Sequence, residues 1–122
     1  MGVKEEGGIP ARECRFSVED ALLLLPGAGG ERFASILEHG SLLVEIYAPR
    51  GTDPQQPHTR DEVYIIVRGS GVFMSGGVRE WFKSGDLLFV PAGREHRFEA
   101  FTEDLVTWVI FYGAEGGEGR QE

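Results

Sequence analysis

Two of the chain's three histidines and one glutamate stand where they could bind a single metal ion. His58 and Glu62 lead into an apolar run, and His96 opens a second stretch of alternating polar and apolar residues. Side chains on a strand alternate between its faces, so residues of equal parity, here Gln56, His58 and Glu62, point the same way. Two imidazoles and a carboxylate suit a first-row divalent metal with open coordination positions. We therefore predict that His58, Glu62 and His96 bind a metal, with Gln56 adding a neutral carbonyl oxygen or a hydrogen bond to a water on it.

Three further side chains are predicted to contact a substrate beside this metal. Tyr64 and Phe98 share the parity of the ligands on their own strands, and a buried Tyr64 hydroxyl needs a hydrogen-bond partner. Arg60, between His58 and Glu62, could hold an anionic substrate, and the competing interpretation is a solvated arginine. For Phe98 the competing interpretation is a core residue, since most aromatic side chains are buried in a fold of this size.

The elements that carry these residues are predicted to be short strands. Gly-rich turns separate β-rich runs, a spacing typical of a sandwich or barrel. Strands are predicted over residues 33–36, 41–48, 62–67, 72–74, 78–82, 86–90, 96–100 and 105–112. Residues 17–26 predict a short helix, because Ser17 can cap its first turn and Pro26 prevents its continuation. The predicted fold class is all-β with a short N-terminal helix.

The segment around the first histidine resembles the first motif of the cupin family, Gly-x5-His-x-His-x3-Glu-x6-Gly. His58 matches the second histidine of that motif, Glu62 its glutamate and Gly69 its closing glycine. Gln56 stands at the place of the first histidine, so this chain departs from the family pattern there. An amide oxygen is a weaker donor than the imidazole it replaces, so we expect a lower metal affinity than in a three-histidine cupin.

The segment around His96 resembles the second cupin motif, Gly-x5-Pro-x-Gly-x2-His-x3-Asn. The matching residues are Gly85, Pro91, Gly93 and His96, and Ala100 replaces the asparagine. The resemblance covers about residues 40–112. It implies a double-stranded β-helix, a jelly-roll-like barrel, with a divalent metal inside: Fe, Zn, Mn or Ni. The alternative is a barrel that binds no metal, which would leave a buried His-Glu-His cluster without partners.

The length of 122 residues predicts one domain. We expect an N-terminal arm over 1–16, the helix and lead-in over 17–39, the cupin barrel over 40–112 and a flexible tail over 113–122. The last strand is apolar on both faces apart from Thr107, so its outer face needs cover. In cupins that cover is often a second subunit, and the resemblance therefore implies a homodimer.

Composition excludes several partners. A net charge of −8, with twelve scattered Lys and Arg residues, argues against nucleic acid and anionic membranes. Cys14 is the only cysteine, which rules out an intramolecular disulfide and fits a reducing compartment. No apolar run has the length of a membrane span, and the first residues lack the apolar stretch of a signal peptide. We expect a cytoplasmic protein.

Two functions remain open at this point. The first is a metal-dependent enzyme on a small organic acid or phenolic compound that chelates the metal, with dioxygenase as the leading class and isomerase or lyase behind it. The second is a non-catalytic module that binds a sugar or small metabolite in the same pocket. Cupins host many reactions, so fold alone does not choose between these two functions.

Overall fold

The structure is a computed structural model that describes residues 14–118. Within that range the chain forms one short helix and eight strands. Their bounds are α1 Val18–Leu22, β1 Phe33–His39, β2 Leu42–Tyr47, β3 Asp61–Arg68, β4 Ser70–Ser75, β5 Val78–Lys83, β6 Leu87–Val90, β7 His96–Glu99 and β8 Val106–Tyr112. Each predicted strand corresponds to one of these, and the predicted all-β class is confirmed.

The strands form two antiparallel sheets that face each other. One has five strands in the order β1-β2-β8-β3-β6, and the other has three in the order β5-β4-β7. The chain passes from the first sheet to the second at Gly69, whose φ of 98° favours glycine. A Cβ at Gly69 would lie 2.7 Å from Leu105 Cα, so the turn also depends on the missing side chain. The two cupin-like segments thus reach the interior from opposite sheets, on β3 and β7.

The interior between the sheets is rich in aromatic side chains. Its buried members include Tyr64, Phe73, Phe82, Phe98 and Phe111. Tyr64 meets Phe98 edge-on, with ring centroids 4.9 Å apart, a favourable geometry for aromatic pairs. This cluster forms the floor beneath the candidate site.

A second apolar cluster lies on the outer face of the five-stranded sheet. The short helix α1 packs there through Ala21, against Ile46 of β2 and Val106 of β8. Ser17 caps this helix as predicted, because its Oγ accepts from the Asp20 backbone N–H at 3.1 Å. The helix ends at Leu22, well short of Pro26, so the prediction was too long. Helix α1 is far shorter than the roughly 20 apolar residues of a membrane span, so it cannot be one. The described residues contain no other helix.

The two ends of the chain extend beyond what the structure describes. Residues 1–13 of the predicted arm and 119–122 of the predicted tail lie outside the described range. Residues 113–118, which begin that tail, return to the barrel. Gly116 N–H donates to the Thr59 carbonyl at 2.6 Å, and Glu118 N–H donates to Asp61 Oδ2 at 2.9 Å. These bonds place the chain after β8 beside the loop that carries His58.

Candidate metal centre

Three elements bring His58, Glu62 and His96 together inside the barrel. His58 lies in the loop before β3, Glu62 is on β3, and His96 is the first residue of β7. One ligand atom from each residue lies within 4.8 Å of the others. His96 Nε2 is 3.3 Å from Glu62 Oε1, and His58 Nε2 is 3.9 Å from the same oxygen. The Gly93 N–H donates to the His58 carbonyl at 2.7 Å, which ties the two segments together next to the cluster.

Three polar atoms of this cluster, from Glu62 and His96, are buried and lack partners among the described residues. Glu62 is 1% exposed and His96 2%. Both Glu62 carboxylate oxygens and His96 Nε2 make no hydrogen bond. Leaving such atoms unpaired in the interior is unfavourable, and a divalent cation would satisfy all three at once. The residues therefore fit a metal ion.

Hydrogen bonding prepares His96 as a ligand. Its Nδ1 lies 2.9 Å from the Arg94 carbonyl oxygen, which can only accept, so Nδ1 carries the proton. The lone pair of the neutral ring is then on Nε2, the atom that faces Glu62. Metal-binding histidines are commonly oriented this way through their second nitrogen.

The two imidazoles differ in how tightly they hold a proton. Burial lowers the pKa of His58 below its ordinary value and outweighs the nearby Glu62 carboxylate. Burial also lowers the pKa of His96, but Glu62 and the Arg94 carbonyl together raise it above the ordinary value. As the pH falls, protonation of His96 therefore competes with metal binding at a higher pH than protonation of His58 does.

The structure places Gln55, not Gln56, beside these ligands. Gln56 is exposed and does not border the cavity, whereas Gln55 Oε1 is 3.0 Å from His58 Nε2. Strand alternation does not apply here, because residues 48–60 form no strand. Pro54 and Pro57 flank this pair of glutamines, and proline cannot donate to a strand ladder. The strand-parity argument for Gln56 therefore does not hold, and in this structure the residue lies outside the cavity wall.

The three predicted substrate residues lie in different surroundings. Arg60 lines the cavity, donates to the Ser41 carbonyl and has its Cζ 6.0 Å from the centre of the Phe111 ring. Tyr64 is fully buried and reaches the site through its hydroxyl, which donates to Gln55 Oε1 at 3.0 Å. Phe98 lies deeper, in the aromatic core, and does not line the cavity. Only Arg60 among the three borders the space a substrate would occupy.

An open cavity of about 800 Å³ leads to the cluster, and His58 and Glu62 are in its wall. Glu45 on β2 lines it too and was not predicted. Burial, with the Glu62 carboxylate second, raises the pKa of Glu45 to about 7. The available signal was a charged residue between Leu43 and Tyr47 on one apolar face of a strand. Glu45 is thus a carboxyl group that can gain or lose a proton near neutral pH.

A second residue missed by sequence reasoning is Asp53, in the loop before β3. It is buried, its Oδ1 accepts from the Tyr47 hydroxyl, and its Oδ2 accepts from the Phe98 N–H at 2.8 Å. The same Oδ2 accepts from Gln55 Nε2 at 2.7 Å. An Asp-Pro pair in a loop gives no sequence signal for this role, because its main partner is on β7.

The fold and the site identify the class of protein. The family model described as Cupin domain matches residues 43–112, which is more than half of the chain. The chain belongs to the cupin family, as the two motifs predicted. A crystal structure of an uncharacterized conserved protein with a double-stranded β-helix domain from Klebsiella pneumoniae has the same fold. Its TM-score is 0.65 at 19% identity, over 83% of this chain and 90% of that one.

Sequence relatives add a narrower similarity. An uncharacterized protein of Streptomyces coelicolor is 35% identical over 81 residues, which are 65% of this chain and 77% of that protein. An acireductone dioxygenase of Acidiphilium cryptum is 42% identical over 64 residues, 48% of this chain. The match spans only 36% of that dioxygenase, so it is confined to part of the enzyme.

Proposed function

We propose that this cupin is a metal-dependent enzyme of the dioxygenase type that acts on a small chelating organic acid or phenolic compound. One observation carries the proposal: His58, Glu62 and His96 converge at an open cavity, and both carboxylate oxygens of Glu62 and Nε2 of His96 are buried without a hydrogen-bond partner among residues 14–118. The partial similarity to an acireductone dioxygenase supports the choice of reaction class.

The three residues would hold iron, zinc, manganese or nickel. When bound, such an ion supplies Lewis-acid activation of a chelating substrate, and iron also supplies one-electron chemistry with oxygen. Glu45 is placed to exchange a proton with a substrate in the cavity, since its pKa is raised to about 7. Tyr64 and Phe98 belong to the aromatic core beneath the site.

The cavity wall offers cationic groups to an anionic substrate. Three arginines line it, Arg32, Arg50 and Arg60, beside four glutamates, of which Glu62 is a proposed metal ligand and Glu45 has its pKa raised to about 7. Arg32 donates to the Ala48 carbonyl at 2.8 Å, and Arg60 donates to the Ser41 carbonyl. Among residues 14–118 none of the three forms an ion pair with a carboxylate. Their charge is therefore available to a carboxylate or phenolate.

We also propose that the protein is a homodimer. Ile65, Leu87 and Phe89 are 37%, 63% and 49% exposed, on the outer face of β3 and β6. Ile65 pairs with Leu87 and Val63 with Phe89, so these side chains form one continuous apolar surface. Helix α1 covers only the part of this sheet around Ile46. A second copy of the chain, meeting this surface with its own, would cover the rest.

Metal content tests the enzyme proposal. Untagged protein is analysed by elemental mass spectrometry, as purified and after reconstitution, beside His58→Ala and His96→Ala. His39→Ala is the matched control, because His39 is exposed at the end of β1. We expect near-stoichiometric metal in the parent and the control and its loss in the other two. Oxygen uptake with small chelating acids then separates an enzyme from a module that binds its ligand unchanged, and a parent without metal would refute the proposal.

A further inference from the structure

The Gln55 amide is held in one orientation. Its Nε2 donates to Asp53 Oδ2 at 2.7 Å, and a carboxylate oxygen can only accept, which fixes the nitrogen on that side. Its Oε1 then faces the cluster, where it accepts from the Tyr64 hydroxyl at 3.0 Å. The same oxygen is 3.0 Å from His58 Nε2. These hydrogen bonds hold the amide oxygen in an orientation that faces the metal-binding residues.

Asp53 is itself anchored from both sheets. The Tyr47 hydroxyl on β2 and the Phe98 N–H on β7 donate to its carboxylate, the latter at 2.8 Å. Phe98 is on the same short strand as His96, so the strand that carries one ligand also holds the Asp53 carboxylate to which Gln55 donates. Asp53 is 6% exposed, and buried hydrogen bonds of this kind hold a side chain firmly.

The Gln55 oxygen and the His58 nitrogen lie close enough together to bind one ion. Two atoms that each bind an ion at about 2.1 Å lie no more than about 4.2 Å apart. Gln55 Oε1 and His58 Nε2 are 3.0 Å apart. Without an ion the same contact is a hydrogen bond between the two side chains. Gln56, which stands at the family position of the missing histidine, is exposed and outside the cavity wall.

We propose that Gln55 Oε1 is the fourth protein ligand of the metal, with Asp53 as its positioning residue. This inference rests on the metal site of the proposed function. It makes the ligand set two nitrogens and two oxygens with a single negative charge, from Glu62. Relative to a set with three imidazoles, such a site favours harder ions such as Mn²⁺ and Fe²⁺.

Cobalt binding tests the inference without any enzyme assay. Co²⁺ affinity is measured by titration against a chelator, and the ligand field by the visible absorption spectrum, for the parent, Gln55→Leu and Gln56→Leu. We expect Gln55→Leu to bind about tenfold or more weakly with an altered spectrum, since one ligand is lost. Gln56→Leu should match the parent in both measurements. A parent that binds Co²⁺ and a Gln55→Leu variant with the same affinity and spectrum would overturn the inference alone, whereas a parent that binds no metal would overturn the proposed function as well.

A second pair of variants decides the matter if Gln55→Leu does not fold. Gln55→His replaces the neutral oxygen ligand with an imidazole, whose other ring nitrogen can still donate to Asp53, so Co²⁺ should bind at least tenfold more tightly. Gln56→His places the same group one residue away on an exposed side chain, and should change the affinity by less than twofold. Equal effects of the two substitutions would overturn the assignment of Gln55.

Discussion

Glu62 Oε1 and His96 Nε2 lie 3.3 Å apart on strands of opposite sheets, and neither atom has a hydrogen-bond partner among residues 14–118. Both residues are almost fully buried. The core therefore holds a polar pair that the described part of the chain leaves without hydrogen bonds, between strands of the two sheets. A metal ion that binds this pair also joins the two sheets.

Metal should stabilise the fold through Glu62. We expect saturating Mn²⁺ at 100 times its dissociation constant to raise the free energy of unfolding of the parent by about 2.7 kcal/mol. Glu62→Gln should lose this increase, because it removes the anionic ligand. In chelator the same variant should be at least as stable as the parent, since it no longer buries an unpaired carboxylate. Urea denaturation followed by circular dichroism, with and without Mn²⁺, measures both.

Glu80→Gln is the control for this experiment, because Glu80 is an exposed carboxylate on β5. It should keep the full effect of Mn²⁺. Equal stabilisation of the parent and Glu62→Gln by Mn²⁺ would mean that Glu62 is not a ligand.

Ala100 has a strained backbone conformation. Its φ is 49°, in the left-handed region that residues other than glycine, asparagine and aspartate rarely adopt. Cupin motifs have asparagine here, and Ala100 is exposed, so a replacement meets no packing constraint. Ala100→Asn should raise the free energy of unfolding by about 1 kcal/mol, as judged by urea denaturation. Ala114→Asn, at an exposed alanine, is the control, and no gain at position 100 relative to it would contradict the prediction.

Local sequence signals were sufficient for much of this molecule. Alternation along β3 and β7 and two motifs with fixed spacing predicted the fold and the strands that carry Glu62 and His96. Both signals depend on regular strands, in which each side chain's direction follows from its position. The Gly69 turn and the positive φ of Ala100 likewise belong to positions that the motifs specify.

The features that the sequence could not predict depend on contacts between residues far apart in the chain. Asp53 receives a hydrogen bond from Phe98, 45 residues away, and that contact orients Gln55 in a loop without regular alternation. Alternation along residues 41–48 puts Glu45 on the same face as Leu43 and Tyr47, but which face is interior depends on pairing between β2 and β8. Neither kind of information is carried by residue spacing within one segment.

Charge on the outer sheet face should break the proposed dimer. Leu87→Glu with Phe89→Glu places two carboxylates in the apolar surface of β6, where burial against a second copy would be unfavourable. Sedimentation velocity at micromolar concentration should show a dimer for the parent and a monomer for this double variant. Val78→Glu is the control, since Val78 is 61% exposed on β5 of the other sheet and should leave the dimer intact. A monomeric parent would exclude the homodimer at that concentration.

Glu45 should make the stability of the metal-free protein depend on pH. Its pKa in the folded protein is raised from 4.5 to about 7, by burial first and the Glu62 carboxylate second. The folded state therefore holds this proton more tightly than the unfolded state, and stability falls as the pH rises from about 4.5 to 7. Glu45→Gln removes this dependence, so its advantage over the parent should grow across that range to about 2 kcal/mol, an amount reduced for the partial exposure of the side chain.

Urea denaturation in chelator, repeated between pH 5 and 8, measures the Glu45 effect. Chelator is needed because a cation beside Glu62 would favour the charged form of Glu45 and suppress the dependence. The free energy of unfolding of Glu80→Gln should differ from that of the parent by the same amount at every pH, since the Glu80 carboxylate is exposed. A constant difference between Glu45→Gln and the parent across this range would show that Glu45 ionises alike in the folded and unfolded states, and would remove it as a proton carrier in the cavity.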